Sequence, residues 1–458
     1  MRGHSAAWSE LRSSVPGIDW PPVIHGQAAV LAALLGQLDA TQWLGAAEIV
    51  THQHDQLVTV AEHAAKHSQH FRRRLAEAGL GADDLGSPSG LRQLPVLRRR
   101  ELQSAEAAIH CSEIPEFHRP WGENRTSGST GEPVVVRRTA VNQLFWSATT
   151  LRELLWSGGN FGGRLSAIRA NFSTYGCGED WGAPASLLFR TGASQRIPVT
   201  TDVKQQVEWL VSFKPNVVLV YPSMLDAIAR HCREQGIALE GLSHICTVGE
   251  TLSPRLREDA MTALSARVFD NYSSQEAGVI ALQCPASELY HVMSETLIVE
   301  VIDDAGRPCA EGEIGRVVVT DLHNFATPLI RYDIGDYAEV SAPCPCGRGL
   351  PTLKRILGRE RNLIVMPDGT RHWPKVGRSR FRDVAPVIQY QLIQHGREDI
   401  EVRFVTETPL TQAQEHDLRD VIQKALGFPF NLRFSYFPDT LPRSANGKFE
   451  EFVCKIGT

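Results

Sequence analysis

The stretch Val217-Val218-Leu219-Val220 is preceded by a helical repeat from Thr201 to Phe213 and followed by a second short β-branched run, His244-Ile245-Cys246-Thr247-Val248. Apolar residues spaced three and four apart bury one stripe of a helix, whereas a short β-branched run reads as a buried strand. Helix and strand in alternation specify an α/β sheet architecture. Towards the N-terminus, Ala28 to Leu38 and Leu57 to Leu80 repeat at helical spacing, with a Gly-rich stop at Gly79-Leu80-Gly81-Ala82. Towards the C-terminus, Leu297 to Ile302 and Gly315 to Thr320 read as short strands, and Asp303-Asp304-Ala305-Gly306 supplies turn chemistry between them. That pattern predicts a β-rich appendix to the main sheet. No internal repeat or low-complexity tract interrupts it.

The chain has 458 residues, more than one hydrophobic core usually serves, so at least two domains are expected. Lys plus Arg number 47 against 52 Asp plus Glu, a net charge of −5. This offers no general positive field for nucleic acid or an anionic bilayer, so any phosphate must be held locally. No stretch has the length of a signal-peptide core or a membrane helix, and the chain reads as soluble and cytoplasmic. Nine cysteines at scattered spacings disfavour a disulfide framework and favour thiols or metal ligands.

Five segments carry polar groups in patterns that suit a nucleotide. Arg125-Thr126-Ser127-Gly128-Ser129-Thr130-Gly131-Glu132-Pro133 runs into the strand-like Val134-Val135-Val136. Its glycines free the backbone to curl, and its hydroxyls and N–H groups can surround a polyphosphate. No Gly-Lys-Ser/Thr ends it, so a phosphate-binding lysine must come from elsewhere. Asp270-Asn271-Tyr272-Ser273-Ser274-Gln275-Glu276 follows Arg267-Val268-Phe269, so a strand delivers a ring, hydroxyls and a carboxylate to one sheet edge. A ring can stack on a base, and a carboxylate can hold magnesium. In Thr327-Pro328-Leu329-Ile330-Arg331-Tyr332-Asp333-Ile334-Gly335-Asp336, the final Asp336 can accept from both hydroxyls of a ribose. Gly358-Arg359-Glu360-Arg361-Asn362 and Leu441-Pro442-Arg443-Ser444-Ala445-Asn446-Gly447-Lys448 complete the series, the last placing a movable point charge on a Gly-containing loop. Taken singly, each also reads as a turn, a core aromatic or a solvated charge.

In this order the five segments resemble the core motifs of the AMP-forming adenylating superfamily. The branch they resemble is the phenylacetate–CoA ligase family, supported by His67-Ser68-Gln69-His70-Phe71-Arg72, Leu94-Pro95-Val96-Leu97, Tyr221-Pro222-Ser223 and Ala326-Thr327-Pro328-Leu329-Ile330-Arg331-Tyr332. The resemblance implies a large N-terminal α/β domain over residues 1–357, with packed sheets and a β-rich subdomain. A small mobile α+β lid domain over residues 358–458 would follow, hinged at Gly358-Arg359. The implied reaction is ATP-dependent activation of a carboxylic acid, aromatic or small and cyclic, to an acyl adenylate with pyrophosphate release. Acyl transfer to a thiol, normally CoA, would follow. Carried over position by position, Ser127, Gly128, Ser129, Thr130 and Gly131 would bind the ATP phosphates, Gly249, Glu250, Asn271 and Tyr272 would flank adenine, and Thr126 and Ser273 would complete the ATP-binding set. Glu276 holds magnesium, Asp336 binds the ribose, Arg359 supports the nucleotide and Lys448 reaches the substrate carboxylate and α-phosphate. Phe172, Tyr175 and Gly176 lie where the family often places its acyl pocket, and family members often pair as homodimers.

Two departures matter. Glu360 is followed by Arg361 and Asn362 where relatives usually carry an acidic pair, and Ser273 replaces a common glycine. A carrier-protein thiol or an amine as acceptor therefore stays open, as does a binding protein on a degenerate ligase fold. Separately, Cys284 and His291 precede Cys344-Pro345-Cys346-Gly347 by roughly one β-subdomain. Three thiolates and an imidazole match a closed, structural zinc site, the alternative being free thiols and a bystander histidine.

Overall fold

The helical run read from Leu57 to Leu80 is two helices in the structure, a computed structural model that describes residues 10–125, 133–374, 381–444 and 448–456. After α1 (Gly26–Thr41), α2 (Ala46–His67) ends at Ser68, whose backbone is extended and whose Oγ accepts from the Phe71 N–H. That serine caps α3 (Gln69–Ala78), satisfying a donor the new helix start would otherwise leave unpaired. α3 stops at Gly79 in the left-handed conformation (φ +67), where the Gly-rich stop was expected.

The first of two units, Met1–Leu357, then builds one sheet. α4 (Arg99–Ser104), the hairpin β1 (Trp121–Arg125) and β2 (Val135–Thr139), and α5 (Ala140–Ser157) lead into β3 (Leu165–Arg169), β4 (Gly176–Gly178) and β5 (Ser194–Pro198). The alternating region follows as α6 (Val203–Phe213), β6 (Val217–Val220), α7 (Pro222–Gln235), β7 (His244–Val248), α8 (Pro254–Leu264) and β8 (Arg267–Ser274). The antiparallel part is β9 (Gly278–Gln283), β10 (Tyr290–Val292), β11 (Leu297–Ile302), β12 (Ile314–Asp321), β13 (Tyr332–Val340) and β14 (Thr352–Arg359).

Twelve strands lie in the order β11-β12-β13-β14-β10-β9-β8-β7-β6-β3-β5-β4. β5, β3, β6, β7 and β8 are parallel neighbours, whereas β8–β9, β9–β10 and β10–β14 are antiparallel. The β-rich segment thus continues the main sheet, and β8 is the seam between its two halves. Helices cover the parallel half: Leu210, Leu225 and Ala260 from α6, α7 and α8 pack with Ile168, Val220 and Ile245 of the strands. Burial on both faces is why β6 and β7 read as continuous apolar runs rather than alternating ones. No helix among the described residues is long and apolar enough to cross a membrane.

Arg331, at the entry to β13, has φ +53, a left-handed conformation uncommon outside glycine. Its surroundings hold it there. The guanidinium pairs bidentately with Glu300 (2.9 and 3.0 Å) and donates to the carbonyls of Arg92 and Leu94 at 2.8 and 2.7 Å. Arg74 secures the same loop through the carbonyls of Ile330 and Pro95. Removing the Arg331 charge strands Glu300 in the interior, so Arg331→Met is expected to lower unfolding stability by about 3–5 kcal/mol in urea titrations. A loss under ~1 kcal/mol would mean the loop is held by other contacts.

The second unit, Gly358–Thr458, has its own core. A small pair, β15 (Ile364–Val365) and β16 (Arg371–His372), precedes β17 (Val387–Gln394), β18 (Asp399–Thr406), α9 (Gln412–Leu426), β19 (Asn431–Tyr436) and β20 (Phe452–Cys454). The last four strands form a sheet ordered β19-β18-β17-β20, on which Leu418, Ile422 and Leu426 of α9 pack against Tyr390 and Phe404.

Candidate functional site

Open parallel sheets present ligand sites outside the carboxyl ends of their strands. There β7 runs out into Gly249 (φ +84) and Glu250, and β8 into the turn that carries Glu276. Glu250 Oε2 accepts from the Ser223 N–H at 2.8 Å, in the first turn of α7, where a helix start favours a carboxylate. On β8 the Tyr272 hydroxyl donates to Asp336 Oδ2 of β13 at 2.9 Å, and both residues are buried. The fold therefore brings the ring expected beside adenine and the acid expected on the ribose into direct contact. A β-bulge falls between Tyr272 and Ser273, and Ser273 does not take positive φ, which explains how a serine serves where glycine is common.

Glu276 is buried between β8 and β9, and its Oε1 accepts from Arg99 Nη1 of α4 at 3.1 Å. A carboxylate can keep an arginine on one oxygen and offer the other to a hard cation, so the residue would fit magnesium. Thr126, Ser127, Gly128, Ser129, Thr130 and Gly131 lie outside the described residues.

Beside Glu276 opens a cleft of about 410 Å³, mouth included, lined among others by Arg138, Phe145, Trp146, Thr149, Asp321 and His323. The Arg138 guanidinium lies 4.0 Å over the Trp146 ring, and Phe145 stacks on His323 at 3.8 Å. Burial holds the His323 imidazole down at about 4 and pushes the Asp321 carboxyl up to about 6, against the pull of the His323 and Asn324 N–H groups and of Arg138. Phe172, Tyr175 and Gly176 are not among the lining residues. They sit at the edge strand β4, where the Tyr175 hydroxyl donates to Gln195 Oε1 at 3.2 Å and its ring lies 4.2 Å from Trp209. The aromatic side chains at the cleft come instead from the first turns of α5.

In the second unit, the Arg359 N–H donates to Asn362 Oδ1 at 2.8 Å. Arg361 pairs with Glu450 at 2.6 Å and Asn362 Nδ2 donates to the Phe452 carbonyl at 2.6 Å, so both departures from the acidic pair tie the start of this unit to β20. The Lys448 carbonyl accepts from the Ser444 N–H and hydroxyl at 3.0 and 2.7 Å, fixing the backbone that carries the lysine.

The cysteine cluster assembles as the sequence reading expected. The ligand atoms of Cys284, His291, Cys344 and Cys346 all lie within 4.8 Å of one another. Cys284 Sγ and Cys344 Sγ are 3.6 Å apart, and Cys346 Sγ is 3.3 Å from His291 Nε2. Tetrahedral zinc with sulfur at about 2.3 Å places its ligands roughly 3.5–3.8 Å apart; the Cys284–Cys344 pair has that spacing, the others need small shifts, and the donor set fits the ion. The other ring nitrogen of His291 is 3.4 Å from the Leu350 carbonyl, the kind of outer contact that orients a metal-bound imidazole. Arg348 donates to Cys346 Sγ at 3.5 Å.

Reading the sequence missed Arg99, Arg138, Trp146, Asp321 and His323. Arg98-Arg99-Arg100 has the look of a solvated basic run, and only the fold turns Arg99 onto Glu276. Phe145-Trp146 is an ordinary aromatic pair in a helix until its neighbours are known.

The model of the AMP-binding enzyme family matches residues 124–326. The chain is 26% identical over 327 residues to the phenylacetate-coenzyme A ligase of Thermus thermophilus, covering 69% of this chain and 71% of that one. It is 25% identical over 415 residues to the phenylacetate-coenzyme A ligase of Escherichia coli K12, covering 85% and 92%. A crystal structure of 2-hydroxyisobutyryl-CoA ligase in the postadenylation state shares the fold with a TM-score of 0.73, over 90% of this chain and 91% of that one, at 19% identity. The fold is that of an adenylate-forming CoA ligase, and the matched segment is similar to AMP-binding enzymes. The chain is thus similar to AMP-binding enzymes over residues 124–326 and, over a longer span, to the phenylacetate-coenzyme A ligases.

Proposed function

We propose that this protein activates a carboxylic acid with ATP and passes the acyl group to CoA. The observation that carries the reading is the Tyr272–Asp336 contact at the carboxyl ends of the central strands, next to the Glu276 turn and its cleft. In the first step a carboxylate oxygen attacks the α-phosphorus and the bond to pyrophosphate breaks. In the second, a thiol sulfur attacks the acyl carbon and AMP leaves. Glu276 is the residue that would hold magnesium, which would supply charge neutralisation at the phosphates. On this reading Tyr272 and Asp336 hold the nucleoside, Thr126 to Gly131 cradle the phosphates, and Lys448 offsets the charge of the two anions that must meet. The Arg138–Trp146 and Phe145–His323 stacks give the cleft flat faces suited to a planar or compact acid.

Pyrophosphate release measured across aromatic and short aliphatic acids, with and without CoA, tests the reading. Acid-dependent release followed by thioester formation supports it. Release with product only when an amine replaces CoA would move the acceptor to an amine, and no release with any acid would leave a binding protein. Within the site, Tyr272→Phe should raise KM for ATP by about threefold to thirtyfold, because Asp336 loses a buried donor, while kcat changes less. An unchanged KM would remove this pair from the nucleotide site.

We propose zinc as the occupant of Cys284, His291, Cys344 and Cys346. With four protein ligands the site has no open position, so its role is to hold β9 and β10 to the loop before β14, apart from the chemistry.

A further inference from the structure

Glu153 lies on α5, one turn beyond Thr149, on the helix that lines the cleft. Asn271 Nδ2 donates to Glu153 Oε2 at 3.0 Å. The remaining atoms of the same two groups, Glu153 Oε1 and Asn271 Oδ1, are both out of contact with solvent and both lack a hydrogen-bond partner among the described residues. If the carboxylate is ionised, both are acceptors and neither can supply the other with a donor. A proton on Oε1 would remove the conflict, since it would offer Asn271 Oδ1 a donor and complete an acid–amide pair with the Nδ2–Oε2 bond.

We propose that Glu153 is held as a neutral carboxylic acid sharing its proton with the Asn271 amide, and that this pair positions the end of β8 for nucleotide binding. Strand neighbours point to opposite faces, so Asn271 ties β8 to α5 while Tyr272, next in sequence, reaches Asp336. Glu153 is a positioning residue: it acts through Asn271. The positioning role rests on the nucleotide reading given above, whereas the shared proton does not.

The surroundings agree with the neutral form. Burial raises the Glu153 carboxyl to about 7, and the nearby Asp270 charge adds to the effect. The Asn271 amide and the protonated Cys246 thiol of β7 donate to the same carboxyl and pull the other way, but burial outweighs both. Asp270 is occupied elsewhere, by the Thr247 and Tyr290 hydroxyls at 2.5 and 2.8 Å with Arg257 nearby. His244 of β7 faces the Ser157 carbonyl, and β9 contributes Gln283, which accepts from the Asp270 N–H. Among the described residues, none of the groups that shift the Glu153 carboxyl is a cation.

The sign of the pH dependence follows. The carboxyl rises from its ordinary 4.5 to about 7 on folding, so between those values the folded chain binds the extra proton and this group's contribution to stability falls as pH rises. Glu153→Gln mimics the neutral form and has no proton to lose. The test is a thermal-melting series from pH 6 to 8.5 on the full chain, wild type against Glu153→Gln, with KM for ATP measured over the same range. The variant should already melt above wild type at pH 6, and its lead should grow by roughly a further 2–4 °C by pH 8.5. The ratio of wild-type to variant KM should grow by at least about threefold across the interval. Difference infrared spectra should show the carbonyl stretch of a protonated carboxylic acid that the variant lacks. A melting difference independent of pH, or one favouring wild type as pH rises, overturns the shared proton. A melting difference with a constant KM ratio overturns the positioning role. If no acid elicits pyrophosphate release from either protein, the functional reading has failed, and the melting series and spectra still decide the proton.

Discussion

Lys448→Ala is expected to slow acyl-adenylate formation by on the order of 10²-fold or more, at least ~2.7 kcal/mol of barrier, while the second unit stays folded. The reason is electrostatic. A carboxylate and a polyphosphate repel as they close, and an ammonium between them lowers the transition state more than the separated reactants. Because the Ser444 N–H and hydroxyl grip the lysine's backbone carbonyl, truncating the side chain leaves the loop its anchors. Thioester formation from presynthesised adenylate brings no such pair of anions together and should fall far less. Rates measured separately for the two steps decide the matter, and equal losses in both would remove Lys448 from the role.

The second large effect concerns the metal. Purified protein should contain about one zinc per chain, with Zn–S distances of roughly 2.3 Å. Cys346→Ser should lose the metal and melt lower by several degrees, since binding at a closed site is folding free energy. Activity per folded molecule should be largely kept, because none of the four ligands touches the Glu276 cleft. Wild-type protein that is metal-free yet melts no higher than the variant would reduce the cluster to ordinary thiols.

Much of the molecule was legible in the residues, and for identifiable reasons. β6, β7 and β11 begin and end where their β-branched runs do, because burial on a sheet leaves little latitude in where such a run can start. The Cys/His cluster was legible because soft ligands in that number have few other uses. The break at Ser68 was not, since apolar periodicity continues across it and only the capping bond marks the change of axis. The cleft was hidden for a different reason. Its walls come from α5, the β8–β9 turn and the segment after β12, distant in sequence, and none of Arg138, Trp146 or His323 carries a local pattern that announces a pocket. Phe172 and Tyr175 drew attention because the resembled family often places its acyl pocket there, and in the structure they adjoin the edge strand β4.

The left-handed Arg331 changes what the segment around it reports. Its guanidinium serves Glu300 and two backbone carbonyls, its own N–H donates to Thr320, and its carbonyl accepts from Leu97. The most recognisable stretch of the chain is thus largely a record of how a loop is locked, with Asp336 at its far end as the residue facing the nucleotide reading. A descendant could lose Lys448 and every catalytic competence while Pro-Leu-Ile-Arg-Tyr remained intact, because the folded state would still require it. Resemblance in that segment tracks inheritance of an architecture; whether the chemistry survives is written in the few residues the architecture does not need.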